Sequence, residues 1–238
     1  TSRMLPHAIA GSLSYGGQGT LACADFNNDH FPDLVRATAP FLSGGKPVPA
    51  TLCISLGNGD GTFQQPHEIQ RLTGRADEIA IADIDGDTHP DLVTLDNSLG
   101  TVSTFAVSPQ GDISDERTLQ MAVGIRSLRV GRVDGDACMD VVLLDPSQHS
   151  IHTLLGKADR SLAPADSIPI TGTSVSVVLT DTDGDQSDDI VSLTTSTLTL
   201  YTNDKKGHFK PRQSLDAPRR PRDITSCLLY TSPSPRDQ

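Results

Sequence analysis

Tryptophan is absent from these 238 residues, and only three tyrosines and six phenylalanines are present. Carbohydrate sites favour aromatic side chains that offer flat apolar faces, so the composition argues against a site built on stacking. Basic residues are scarce as well. Nineteen Lys and Arg stand against 30 Asp and Glu, a formal charge of −11. A nucleic-acid partner needs a basic face, and this balance excludes one. No apolar run approaches the length of a membrane-spanning helix. There is no signal-like segment, no Asn-x-Ser/Thr sequon, no Gly-x-Ser-x-Gly elbow and no His-Glu-x-x-His pair. The seven histidines are scattered and read as surface or core-satisfied residues. Four cysteines, Cys23, Cys53, Cys138 and Cys227, lack the spacing of a disulfide framework or a zinc site. They read as buried free thiols.

What the chain does have is one acidic loop, repeated. Asp83-Ile84-Asp85-Gly86-Asp87-Thr88-His89-Pro90-Asp91 puts carboxylates at positions 1, 3, 5 and 9 and runs directly into Leu92-Val93. Versions begin at Asp25, Arg132 and Asp181, with intervals of 58, 49 and 49 residues. Four carboxylates this close repel one another unless a cation neutralises them. Calcium suits the pattern, because it takes about 6–8 oxygen ligands in a forgiving geometry. Position 4 must bend sharply, and it holds Asn28, Gly86, Gly135 and Gly184, residues that tolerate positive φ. An EF-hand is excluded. Its glycine falls at position 6 and its closing Glu at position 12, ahead of a helix. Here the last acid is at position 9, and a β-branched apolar run follows.

Each unit reads alike. A short apolar strand leads in, ending in a small residue (Ala24, Ala82, Gly131 or Thr180) that suits a crowded innermost position. The loop follows, then a second strand from Leu34, Leu92, Val141 or Ile190, then a third that runs into a Gly/Asn/Asp turn such as Gly57-Asn58-Gly59-Asp60-Gly61. A period near 50 residues made of short strands predicts four-stranded propeller blades. Thr38 to Pro49, rich in Gly and Pro, is expected to be an extended loop in the first unit.

The loops resemble those of FG-GAP and VCBS-type repeats, the blades of integrin-α-like β-propellers. The resemblance implies an all-β fold of four-stranded antiparallel blades, about four of them here, forming an arc of a larger, seven-bladed ring. It also implies calcium ligands at side chains 1, 3, 5 and 9 and at the carbonyl of position 7. Carried over, these are Asp25, Asn27, Asp29, Asp33 and the carbonyl of Phe31 in the first loop (25–33). In the second (83–91) they are Asp83, Asp85, Asp87, Asp91 and the carbonyl of His89. The fourth (181–189) offers Asp181, Asp183, Asp185, Asp189 and the carbonyl of Ser187. The third (132–140) keeps Asp134, Asp136, Asp140 and the carbonyl of Cys138, but has Arg132 at position 1. Arginine is permanently charged and donates no lone pair to a metal. Either its guanidinium takes the ion's place beside Asp134 or Asp140, or it turns to solvent and leaves a weaker calcium site.

Residues 1–226 are thus expected to be repeats, with Pro6-His7-Ala8-Ile9 closing an earlier blade. The segment 227–238 carries no fifth loop and reads as a non-native tail. Three functional readings follow: an extracellular calcium-stabilised module for adhesion or recognition, the propeller portion of a secreted polysaccharide-active or other hydrolytic enzyme, and a sugar-binding propeller. Every clustered Asp already has a place as a metal ligand, so the visible chain is not expected to be catalytic.

Overall fold

The computed structural model describes residues 19–66, 69–218 and 221–225. The segments read as an earlier blade's last strand and as a tail lie outside these described residues. Among them there are eighteen strands and no helix.

The first sheet begins with β1 (Gly19–Ala24) and β2 (Asp33–Thr38). A separate small hairpin, β3 (Phe41–Ser43) and β4 (Lys46–Val48), comes next, and β5 (Thr51–Ser55) and β6 (Gln70–Arg71) complete the sheet. The second sheet contains β7 (Glu78–Ala82), β8 (Asp91–Asp96), β9 (Thr101–Val107) and β10 (Ile113–Gln120). The third contains β11 (Arg126–Gly131), β12 (Asp140–Asp145), β13 (Ser150–Gly156) and β14 (Leu162–Pro169). The fourth contains β15 (Ser174–Thr180), β16 (Asp189–Thr194), β17 (Thr197–Asn203) and β18 (Phe209–Asp216). In every sheet the strands pair antiparallel in chain order, as hairpin connections require.

The expected loop at Thr38 to Pro49 is therefore a hairpin. Gly44 and Gly45 both adopt positive φ, which lets two residues reverse the chain and pair Phe41 with Val48.

Three apolar cores lie between successive sheets. Alternation along each strand divides the side chains between them. Ile79 and Ile81 face the first sheet, whereas Ala80 and Ala82 face the third. Val141 and Leu143 likewise face the second sheet, and Val142 and Leu144 the fourth. A strand buried on both faces has no polar side, which is why β8 and β12 are buried along their whole length. The inner strands β1, β7, β11 and β15 pack one after another, and the arc stays open. The outer face of the first sheet is exposed, whereas on that of the fourth Ser176, Val178 and Leu193 are buried and the Ser176 hydroxyl donates to Asp223. Leu21, Cys23 and Arg36 point away on the first sheet, so Cys23 is not the buried thiol expected, while Cys53 and Cys138 are.

Successive loops are joined across the arc by backbone. Met139 at position 8 of the third loop donates its N–H to the carbonyl of Asp83, position 1 of the second, at 2.8 Å. Asp188 does the same to Arg132 at 2.7 Å. The equivalent residue of the second loop is Pro90, which has no N–H to give to Asp25. There the first and second sheets rely on their apolar core and on Thr20, whose hydroxyl donates to the carbonyl of Ala76 at 3.0 Å.

Candidate metal centre

Each acidic loop connects the first and second strands of its sheet, and the loop is wound around its own carboxylates. At position 1, Asp83 accepts the N–H groups of Gly86 (2.7 Å), Asp87 (3.0 Å) and Thr88 (2.8 Å). Asp181 accepts those of Gly184 (2.7 Å), Asp185 (3.1 Å) and Gln186 (2.9 Å) in the same way. Asp25 takes Asp29 and His30. At position 5, Asp29, Asp87, Asp136 and Asp185 each accept the N–H of the residue two further on. Position 4 has positive φ in all four loops, as the sequence requires.

Two features were not legible beforehand. Position 6 is also left-handed in three loops, at His30, Thr88 and Gln186, where the position-1 carboxylate draws its N–H inward. The third loop lacks that carboxylate, and Ala137 does not adopt positive φ. Second, position 2 is the apolar anchor of the loop. Phe26, Ile84 and Val133 each drop into the core shared with the next sheet, whereas Thr182, at the open end, is exposed. Burial of such a side chain contributes about 1.5–3 kcal/mol.

Position 9 has a role of its own. Asp33, Asp91, Asp140 and Asp189 are all buried. One oxygen of each accepts the N–H of position 2: Phe26 at 2.8 Å, Ile84 at 3.0 Å, Val133 at 2.7 Å and Thr182 at 3.2 Å. In the first, third and fourth loops the other oxygen accepts an N–H from the end of the third strand, that of Gly57, Gly156 or Asn203. The same carboxylate therefore latches three pieces of one blade.

Among the described residues, three acidic side chains converge closely in two loops. Asp83, Asp85 and Asp91 bring one oxygen each to within 4.8 Å of one another, and so do Asp181, Asp183 and Asp185. Hard oxygen donors this close suit a divalent cation such as calcium. Asp87 lies outside the first group and Asp189 outside the second. In the first loop the Asn27 amide donates to Asp29 at 2.9 Å. The Arg132 guanidinium does not plug the third loop. Its side chain is exposed, and among the described residues no ion pair joins it to Asp134 or Asp140. Its backbone is held instead by Asp188, whose carboxylate accepts the Arg132 N–H at 2.9 Å.

Burial raises the pKa of Asp33 and Asp83. Asp91, desolvated and beside Asp85, is pushed up to about 7, and desolvation moves Asp140 to about 7 against the pull of Val133 and Gly156. Burial acts upward on Asp181 too, but the N–H groups of Gln186, Gly184 and Asp185 outweigh it and leave the pKa lowered. A carboxyl group whose pKa is higher folded than unfolded stabilises the fold below its unfolded value and loses that contribution as pH rises through the folded one. In chelator, the melting temperature is therefore expected to fall as pH rises from 5 towards 7 and to level off by about pH 8. A scanning fluorimetry profile that rises over that window would contradict the assignment.

At the opposite end of the blades a second acidic turn recurs. Asp96 accepts the N–H and hydroxyl of Ser98 and the N–H of Leu99, and Asp145 takes Ser147 and Gln148 in the same way. The sequence carries these turns as Asp96-Asn97-Ser98 and Asp145-Pro146-Ser147, outside the acidic loops.

Sheets of four antiparallel strands, stacked face to face around an open arc with the first strand innermost, define a β-propeller architecture. Residues 25–94 match the FG-GAP-like repeat family model. No curated protein matches the chain. Among solved structures, a lectin of Agrocybe aegerita, described for its specific recognition of non-reducing terminal N-acetylglucosamine, is similar at 15% identity and a TM-score of 0.60. The match covers 84% of this chain and 53% of the lectin, so the chain spans about half the lectin's length. A protein from Lactobacillus plantarum is similar at 16% identity and a TM-score of 0.53, over 86% of this chain and 71% of its own. A Bacteroides uniformis protein described as a candidate 6-phosphogluconolactonase has 14% identity and a TM-score of 0.52, over 87% and 71%. At these identities the likeness is one of fold.

Proposed function

We propose that the chain is part of an extracellular recognition or adhesion module whose propeller is stabilised by calcium and carries no catalysis of its own. The observation that supports this most directly is the convergence of Asp181, Asp183 and Asp185 within 4.8 Å, on a loop wound by its own N–H groups. A cation held there, with Asp189 and the carbonyl of Ser187 completing the set, would neutralise the loop and pin β15 to β16. Calcium sites of extracellular grade, with Kd of roughly 10⁻⁴ to 10⁻³ M, fill outside cells and stay empty in cytosol.

An ion that binds only the folded loop stabilises it by mass action, about 2.7 kcal/mol at a concentration 100 times Kd. For a chain of this size that is a rise in melting temperature of roughly 5–10 °C. Saturating calcium is expected to produce such a rise, chelator to reverse it, and Asp181→Asn to remove most of it. Identical melting curves with calcium and with chelator would sink the reading.

A cleft of about 340 Å³ between the third and fourth sheets favours glycan recognition as a second reading. Asp166, Ser167, Thr199 and Ser214 offer polar groups beside Tyr201 and Phe209. Both aromatic side chains are buried, so little of either ring is open to a sugar. A glycan array that stays blank with calcium present would count against it.

A further inference from the structure

The second loop has a resident cation of its own. Arg160 lies in the turn between β13 and β14, one sheet further along the arc. Its Nη1 donates to Oδ2 of Asp85 at 2.5 Å, and its Nη2 donates to Oδ2 of Asp115 at 2.5 Å. The guanidinium is largely buried, with 18% of the side chain exposed, and the Asp85 carboxylate is more so, at 6%. Asp85 is one of the three acids that converge in this loop.

The placement is built rather than incidental. Arg160 adopts φ of 61°, a left-handed conformation that a side chain disfavours. Its carbonyl accepts the Thr104 hydroxyl at 2.7 Å, and its N–H reaches the carbonyl of Lys157 at 2.7 Å. Asp115 also has positive φ, where the register of β10 against β9 shifts, and Arg117 steadies its other oxygen at 3.3 Å. Backbone on two sheets is thus bent so that one planar, permanently charged group spans both carboxylates.

We propose that Arg160 takes the divalent ion's place in the loop 83–91, so that this loop binds no calcium in the native chain while the loop 181–189 does. A doubly charged ion among Asp83, Asp85 and Asp91 would sit beside a guanidinium that cannot lose its proton and that already holds Asp85 on one side and Asp115 on the other. The fourth loop differs in this respect. Its nearby cation is Lys205, 3.3 Å from Asp185, with half of its side chain exposed. A flexible ammonium in water gives way to a metal readily.

The inference rests on calcium being the cation of these loops, and the experiment separates the two. The Gly86 amide donates to Asp83 and the Gly184 amide to Asp181, both at 2.7 Å, so each reports on its own loop in a ¹H–¹⁵N NMR titration with calcium chloride. In the native chain the Gly184 resonance is expected to move and the Gly86 resonance to stay. In Arg160→Gln both should move. Arg160→Met keeps the apolar stem and serves if Arg160→Gln does not fold. A Gly86 shift in the native chain, or a silent Gly86 in a folded variant, overturns the proposal. A silent Gly184 overturns the calcium reading of the fourth loop instead, and Gly86 in the variant then decides this one.

Discussion

Asp140→Ala is expected to destabilise the fold by about 3–5 kcal/mol, with calcium or without it. The carboxylate is buried, and it accepts the N–H groups of Val133 at 2.7 Å and Gly156 at 3.0 Å, both in buried surroundings. Truncation takes the acceptor from these two buried donors, at roughly 1–3 kcal/mol each, and from the part-buried Asp134 N–H at 3.2 Å, and it opens a gap at the foot of β12. Asp136 is the informative control. It belongs to the same nominal ligand set, yet it is exposed and organises only the Cys138 N–H. Asp136→Ala should fall within about 1 kcal/mol of the native chain, as surface substitutions usually do. Urea unfolding followed by circular dichroism would measure both. Equal losses at the two positions would mean that position 9 acts only through a metal.

Gly156→Ala is expected to cost about 2–3 kcal/mol, or to prevent folding. A Cβ at this position would overlap the carbonyl oxygens of Met139 and Ile84, both backbone atoms that cannot swing aside. Met139 belongs to the loop of the same sheet and Ile84 to the loop of the previous one, so the methyl would force two sheets apart. Gly135→Ala makes the opposite test. Its φ of +78° disfavours a side chain, but the nearest atom to the new methyl is 3.9 Å away. Backbone strain alone should cost about 1–2 kcal/mol there. If thermal melts gave the two substitutions the same loss, close packing between sheets would not be what Gly156 provides.

Much of this could be read from residues alone. The spacing of Asp83, Asp85, Asp87 and Asp91 and the apolar pair after it placed each loop between two strands, because both signals are local. The small residues before each loop marked the inner strands for the same reason. What escaped was whatever depends on the neighbouring sheet. Arg160 lies 75 residues from Asp85, and nothing in Lys157-Ala158-Asp159-Arg160 announces that partner. Arg132 carries the more conspicuous signal, because it shares a loop with acids, yet it faces solvent. The apolar position 2 was visible as Phe26, Ile84 and Val133, yet its meaning appears only once the next sheet is in place. The hairpin at Phe41–Val48 was hidden by a composition that suits turns and short edge strands alike.

Pro90 gives the arc a direction of mechanical weakness. Tension applied at the amino end would load a seam held by side-chain packing and the Thr20 hydroxyl, while the two later seams would resist shear through main-chain bonds as well. The first sheet should therefore peel away before its neighbours part, and a stretched molecule would yield in order from that end.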